Sequence, residues 1–514
     1  MNGAESLVRT LVGGGVNVCF TNPGTSEMHF VAALDKVDGM RCVLGLFEGV
    51  VTGAADGYAR MADKPAATLL HLGPGLANGL ANLHNAGRAS SPIVNIVGDH
   101  ATYHRQYDAP LTSDIEGAAR PFSAWVKTSP TAETVAVDGA AAIAEARLPP
   151  GRIATLILPA DTAWNPARGA ATVPPVPERA RVTAEAVKGA AAALRSGEPT
   201  VLVLTGLALR EAALDLAGRI AAATGARLLA QTSNARLQRG AGRVAIDRIP
   251  YPVDLALKVL QGTRHIILVG AKEPVAFFAY PDRPSRLAPE GCAVHRLSTI
   301  AEDSLHALAW LADELGARQQ APGLQPLARP SPPTGAMSLD GLATAIGALL
   351  PENAIVVDES ITSGRNLFNF TRTAPPHDWL QNMGGSIGFA LPVATGAAVA
   401  CPDRKVICLE GDGSGMYTLQ ALWTQAREGL DVTTVVFANH SYAILRLELA
   451  NVGAGNPGRK ALDMLDLDRP DLNWVGLATA MGVPAARVTN LDEFSREFAA
   501  GVRAPGPRLI EVML

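Results

Sequence analysis

VICLEGDGSGMYTLQALW (residues 406–423) is the stretch on which the fold turns. An apolar run stops at Gly-Asp-Gly-Ser-Gly and a helical pattern follows at once. A short apolar run bounded by turn residues reads as a buried strand of a parallel sheet. GMYTLQALWTQAREG (415–429) reads as the helix behind it and VTTVVFAN (432–439) as the next strand. If the two strands are parallel neighbours, their C-terminal ends share one sheet edge, about 5 Å apart. Asp412 ends the first and Asn439 ends the second. Both then offer oxygen to one point, beside the N-terminus of a helix beginning near Gly415.

A carboxylate and a carboxamide are hard ligands suited to magnesium or calcium, and the Ser441 carbonyl is a third candidate. The expected metal ligands are thus Asp412, Asn439 and Ser441. The backbone from Gly411 through Asp412, Gly413, Ser414 and Gly415 would turn N–H groups towards a phosphate. The plainer reading is an Asp-Gly turn and a loop asparagine; two oxygen donors at the ends of successive strands favour the metal. Nothing fits GxxxxGK[ST], so this is not a Walker phosphate loop.

The same wiring runs through the 514 residues. VNVCFTN (16–22), RCVLGLF (41–47), ATLLHLG (67–73) and PIVNIVGD (92–99) read as strands with helical patterns between them. So do TVLVLTG (200–206), ARLLAQT (226–232), HIILVG (265–270) and CAVHRLS (292–298), and so do AIVVDES (354–360) and RLIEVML (508–514). Repeated βα units imply parallel sheets covered on both faces. Proline-rich breaks at 169–182 and 319–337 read as linkers. The expectation is an α/β protein of three doubly wound parallel-sheet domains, 1–168, 183–318 and 338–514.

Bulk properties narrow the function. With 48% hydrophobic and 18% charged residues the chain is globular, and a net charge of −4 without a basic run excludes nucleic acid as an expected partner. The longest apolar stretch, ALPVATGAAVA (390–400), is too short to span a bilayer. Five scattered cysteines without CxxC, and an N-terminus lacking a basic lead, read as reduced, buried thiols in a cytoplasmic protein.

GDGS followed by an Asn at that spacing resembles the thiamine diphosphate motif. NPGTSE (22–27), LFEGVVTGAADGYAR (46–60) and LHLGPGLANGLANLHNA (70–86) resemble the pyrimidine-binding domain of the acetolactate synthase and benzoylformate decarboxylase family. GGSIGFALP (384–392) resembles its cofactor-bending segment. The resemblance spans the whole chain in order. It implies pyrimidine-binding, central and diphosphate-binding domains, with thiamine diphosphate and magnesium as cofactors. Glu48 matches the carboxylate on the pyrimidine ring nitrogen and Ile387 the bulky side chain that brings the two cofactor rings together. Asp412, Asn439 and Ser441 match the metal ligands, and Gly411, Gly413, Ser414 and Tyr442 the rest of the diphosphate cradle. It also implies a homodimer or homotetramer, with Glu48 and Asp412 of each site from different chains. Read without the resemblance, Glu48 is equally a helix-capping residue open to water. The small Thr52, Ala55 and Ala59 on its helix face allow close approach of a ligand or another chain.

On the substrate side, Thr25 and His71 fall where benzoylformate decarboxylase has an active-site serine and histidine. That enzyme's second histidine has no counterpart; Phe278 lies near its place. Asn78 is expected at the site floor, and Ile361 and Ile444 at the pocket wall. Glu448 is expected near the mouth. Arg105, in TYHRQ (102–106), reads equally as a partner for a substrate carboxylate and as a surface charge. The resemblance implies a 2-oxo acid substrate, decarboxylation, and capture of the retained fragment by a second carbonyl compound, as in acetolactate synthase. The alternatives are simple decarboxylation of the benzoylformate type and a cofactor-binding but inactive relative. Some family members hold FAD in the central domain; TVLVLTGLALREAA (200–213) lacks GxGxxG, which disfavours it.

Overall fold

The computed structural model describes residues 1–514. The first sheet is built from β1 (Val18–Asn22), β2 (Arg41–Leu44), β3 (Ala66–Leu70), β4 (Ile93–Asp99), β5 (Trp125–Thr128) and β6 (Ile153–Pro159), in the order β2-β1-β3-β4-β6-β5 and parallel throughout. The second contains β7 (Thr200–Leu204), β8 (Arg227–Ala230), β10 (Asp247–Arg248), β11 (His265–Val269) and β12 (Ala293–Ser298), in the order β10-β8-β7-β11-β12. The third holds β13 (Ile355–Glu359), β14 (His377–Gln381), β15 (Val406–Gly411), β16 (Val432–Ala438), β17 (Ala485–Val488) and β18 (Arg508–Met513). Its order, β17-β18-β16-β15-β13-β14-β9, includes β9 (Leu237–Arg239), a strand from the middle of the chain paired antiparallel with β14. The fold is α/β with three sheets, as the alternation of apolar runs and helical patterns predicts. The lending of β9 was not legible, since three residues carry too little pattern.

The opening stretch behaves differently from its simplest reading. β15 and β16 are parallel neighbours, in register from Val406 with Val432 to Gly411 with Phe437, as expected. The helix behind β15 is broken. Asp412–Gly415 forms one helical turn, residues 416–420 form further turns, and the regular helix is Ala421–Glu428. Two glycines in four residues weaken the helix at this point. The helical start is therefore Asp412 itself rather than Gly415.

Helix Glu48–Ala62 is buried on all sides, and its small residues serve packing within the chain. It crosses helix Ala390–Ala400 so closely that a Cβ on Gly57 would fall 2.0 Å from the Val393 carbonyl oxygen, and one on Gly396 would fall 1.8 Å from that of Ala54. A single apolar core joins these helices and links the first and third sheets. Arg60, one turn from the helix end, makes a two-pronged pair with Asp56 (2.8 and 2.6 Å) and donates to the carbonyls of Ala235 (3.2 Å) and Gln381 (2.8 Å). One buried guanidinium thereby touches residues from all three thirds of the chain. The five cysteines are free; Cys19, Cys292 and Cys408 are buried, but Cys42 is exposed and Cys401 half-buried, against the expectation that all are interior. No helix is long and apolar enough to cross a membrane.

Candidate active site

The C-terminal edge of the third sheet gathers the residues expected to hold a cation and a phosphate. Asp412, 3% exposed, accepts the His440 amide on Oδ2 at 2.6 Å and its neighbour Gly413 on Oδ1 at 2.9 Å. These bonds fasten the end of β15 to the loop after β16. Burial pushes the Asp412 carboxyl above its ordinary range, against the opposing amide bonds. Asn439 Oδ1 accepts the Ser441 amide at 3.1 Å, while its Nδ2 reaches Ser363 Oγ at 3.3 Å. The Ser441 hydroxyl is buried without a partner. The Tyr442 ring covers Gly413, where a Cβ would meet it at 2.5 Å. An anionic and an amide oxygen beside an orphaned hydroxyl and a glycine-lined helical turn fit a hard divalent cation carrying phosphates.

Two acids at this edge were missed. Glu359 ends β13 and faces Glu410 of β15 in register. Glu359 accepts the amides of Phe389 (2.7 Å) and Ala390 (3.0 Å) and the Asn382 side chain (2.9 Å). It thus clasps the segment carrying Ile387. Burial pushes its carboxyl up to about 7. Glu410 accepts from the Gly411 amide at 3.0 Å and from the Ser414 hydroxyl. Burial, and Glu359 beside it, push this carboxyl well up. The signal was present: both acids close apolar strands, in AIVVDES and KVICLEGD.

The segment Gly384–Gly388 is also bound to the first sheet's helix Leu72–Ala89. Asn82 donates to the Gly388 carbonyl (3.2 Å), and Asn85 donates to the Ser386 carbonyl (2.8 Å) and accepts its amide (3.2 Å). Ile387 is held half-buried between these ties.

Around that helix's N-terminus lies a second constellation. Glu48, 8% exposed, opens its own helix and accepts from Asn78 Nδ2 at 3.0 Å. The capping residue open to water is therefore not what the structure shows. Gly75 separates it from His71: a Cβ there would lie 3.2 Å from Glu48 Oε1 and 3.4 Å from His71 Cβ. His71 Nδ1 meets Glu27 Oε2 at 2.7 Å, and Glu27 is itself buried. Burial raises the Glu27 carboxyl, with His71 opposing. Glu27 closes NPGTSE (22–27), and nothing in the local sequence marks it for a role. Thr25 is exposed two residues before it. Arg105 is engaged by Asp99 at 2.5 Å within its own region.

Three non-glycine residues with left-handed backbones mark the same places. Leu72 (φ 48°) follows His71, His440 (φ 53°) follows Asn439, and Ile361 (φ 46°) lies just beyond β13. Such conformations cost about 1–3 kcal/mol each and persist where surrounding structure enforces them, commonly at functional sites. Ile361 is partly exposed and Ile444 half-buried.

The chain is similar to known proteins along its whole length. Residues 1–119 match the thiamine pyrophosphate enzyme N-terminal TPP binding domain, and residues 360–512 match the C-terminal TPP binding domain. A Mycobacterium tuberculosis protein named "Putative acetolactate synthase large subunit IlvX" is 55% identical over 515 residues, covering 100% of this chain and 99% of that one. Benzoylformate decarboxylase of Pseudomonas aeruginosa is 28% identical, covering 97% and 96%. The thiamine diphosphate-dependent 4-hydroxybenzoylformate decarboxylase of Rhodococcus jostii RHA1 superposes with a TM-score of 0.86 at 25% identity, covering 100% and 99%. Glu48 lies within the first matched domain and Asp412 within the second, and with a relative this similar along its whole length the chain belongs to the thiamine pyrophosphate enzyme family.

Proposed function

We propose that the chain is a thiamine diphosphate- and magnesium-dependent enzyme that decarboxylates a 2-oxo acid and joins the retained fragment to a second carbonyl compound. The observation that carries this reading is the pair of constellations above, a buried acid beside a histidine and an oxygen cluster on a glycine turn. Residues 1–168, 183–318 and 338–514 serve as pyrimidine-binding, central and diphosphate-binding domains. When bound, thiamine diphosphate supplies a nucleophilic carbon that takes up a carbonyl group and accepts the charge left by departing carbon dioxide.

The chain's own residues have distinct tasks. Asp412, Asn439 and the Ser441 carbonyl would hold magnesium, with Gly411, Gly413, Ser414 and Tyr442 around the diphosphate. Glu48, oriented by Asn78, holds a proton at the pyrimidine nitrogen. Ile387 would pack against the bound cofactor. His71 moves protons at the substrate, with Thr25 beside it, and Ile361 and Ile444 form an apolar wall. The assembly is a homodimer or homotetramer with sites shared between chains.

Carboligation is favoured by whole-length similarity to a protein named as an acetolactate synthase subunit. It is also favoured by Phe278, an apolar residue near the place of the second histidine. Without that proton donor the retained fragment persists longer for capture. Simple decarboxylation is the second reading, favoured by the His71–Glu27 pair. Pyruvate assays separate them: acetolactate or acetoin supports the first, acetaldehyde alone the second. Absence of heat on titrating thiamine diphosphate with magnesium overturns both.

A further inference from the structure

The exposed aromatic side chains of the central third gather in one place. Phe277 and Phe278, 49% and 53% exposed, stand with ring centroids 5.0 Å apart, and Phe277 meets Tyr251 at 5.5 Å. The Tyr251 hydroxyl donates to Glu448 Oε1 at 3.4 Å. Tyr280 lies near both Tyr251 and Glu448. Residues 251–280 thus supply the rings, and helix Ala443–Asn451 of the last third supplies the carboxylate.

Two contacts tie this cluster to the candidate active site. The Phe277 ring lies on Gly385, where a Cβ would come 2.7 Å from its Cζ. Its wall therefore abuts the segment that carries Ile387. Glu448 lies one helical turn beyond Ile444, on the same helix face. It is six residues past Tyr442, about 9 Å along the axis, and Tyr442 packs over Gly413. The carboxylate thus stands about two turns from the phosphate turn.

The charge balance is informative. Glu448 takes hydrogen bonds from Tyr251 and, at 3.5 Å, from the Asn451 side chain, both neutral groups. The guanidinium at this cluster, Arg283, lies over the Tyr280 ring at 5.9 Å but is paired with Asp254 at 2.9 Å. A carboxylate without a cationic partner, beside aromatic faces, suits an ammonium or guanidinium group through charge and cation–π attraction together. It repels a second carboxylate, so the 2-oxo acid head must lie away from it.

We propose that Glu448, with Tyr251, Phe277 and Tyr280, selects a 2-oxo acid whose side chain ends in an ammonium or guanidinium group. This rests on the 2-oxo acid reading above and adds the chemistry of the tail. It also explains an acid near the mouth of a pocket that takes anionic substrates.

The test uses the holoenzyme and 2-oxo acids of matched chain length ending in guanidinium, methyl or carboxylate. Wild-type kcat/KM is expected to rank guanidinium above methyl above carboxylate, the first step by about tenfold or more. Glu448→Gln is expected to lower the guanidinium-to-methyl ratio about tenfold, mainly through KM, and Tyr251→Phe to lower it less. The ratio is internal to each variant, so loss of folded protein cancels. Calorimetry with the corresponding acylphosphonates, which bind without losing carbon dioxide, should show the same lost discrimination. A wild-type preference for the methyl tail, or a guanidinium preference that survives Glu448→Gln, overturns the proposal. If pyruvate is decarboxylated but no guanidinium substrate is, the tail assignment alone falls. If the cofactor binds and no 2-oxo acid is decarboxylated, the parent reading falls and this one with it.

Discussion

His71 Nδ1 and Gly24 N converge on the same oxygen of Glu27, each at 2.7 Å. Glu27 therefore fixes the imidazole's orientation and leaves Nε2 as the nitrogen free to exchange protons with a substrate. Glu27→Gln and Glu27→Ala are expected to lower kcat about 10- to 100-fold with a smaller change in KM. Thiamine diphosphate affinity by calorimetry should be little altered. Unchanged kcat in both variants would remove Glu27 from a positioning role.

Gly24 tests the same relationship sterically. Its backbone, at φ −126° and ψ −162°, suits any residue. The nearest obstacle to a side chain is the His71 ring, whose Nδ1 would be 2.3 Å from an added Cβ. Gly24→Ala is expected to displace the imidazole and lower kcat about as far as Glu27→Ala. Because both act through His71, neither should add much to a His71→Ala background. Steady-state kinetics on the three singles and two doubles decide this.

Arg60 carries a stability prediction. Its side chain and that of Asp56 are 2% and 1% exposed. Arg60→Ala leaves a buried carboxylate without its cation and frees the Ala235 and Gln381 carbonyls. The expected loss is about 3–5 kcal/mol, read from urea unfolding at neutral pH. A loss below about 1 kcal/mol, the level of an exposed pair, would contradict a structural joint at Arg60.

What the sequence disclosed follows from range. Asp412 and Asn439 were legible because strand periodicity and one topological rule place them together. Glu48, His71 and Ile387 needed family resemblance, since nothing local distinguishes them from a cap, a strand-end histidine and a core residue. Glu27, Glu359 and Glu410 were in view yet unassigned, because a carboxylate's importance here comes from burial and from partners 30 or more residues away. The loan of β9 was hidden because three residues carry too little pattern, whereas the break after Gly415 has a local cause in Gly413 and Gly415.

Glu359 gives a pH dependence. Its carboxyl is pushed from 4.5 up to about 7 by burial, so the folded chain holds this proton more tightly than the unfolded one. The stabilisation is complete below about pH 4.5 and is lost as pH rises through about 7, amounting to about 3 kcal/mol. Glu359→Gln should therefore destabilise the protein more at pH 5 than at pH 8. Urea midpoints of both proteins at the two pH values give the difference. A penalty that grows with pH would reverse the assigned protonation.

Glu48 and Asp412 give the sharpest test of assembly. Glu48→Gln keeps the shape of the acid but cannot hold a transferable proton, so the cofactor should still bind while turnover falls at least about 100-fold. Asp412→Ala removes an anionic ligand, and magnesium-dependent cofactor binding should weaken about 10- to 100-fold or more. If each site takes Glu48 from one chain and Asp412 from its neighbour, mixing the two inactive variants has a definite outcome. Unfolded and refolded together in equal amounts, about half of the dimers are mixed. Each mixed dimer has one site with both defects and one with neither. About a quarter of wild-type activity should return. If both residues of a site come from a single chain, every site carries one defect whatever the pairing, and mixing restores nothing.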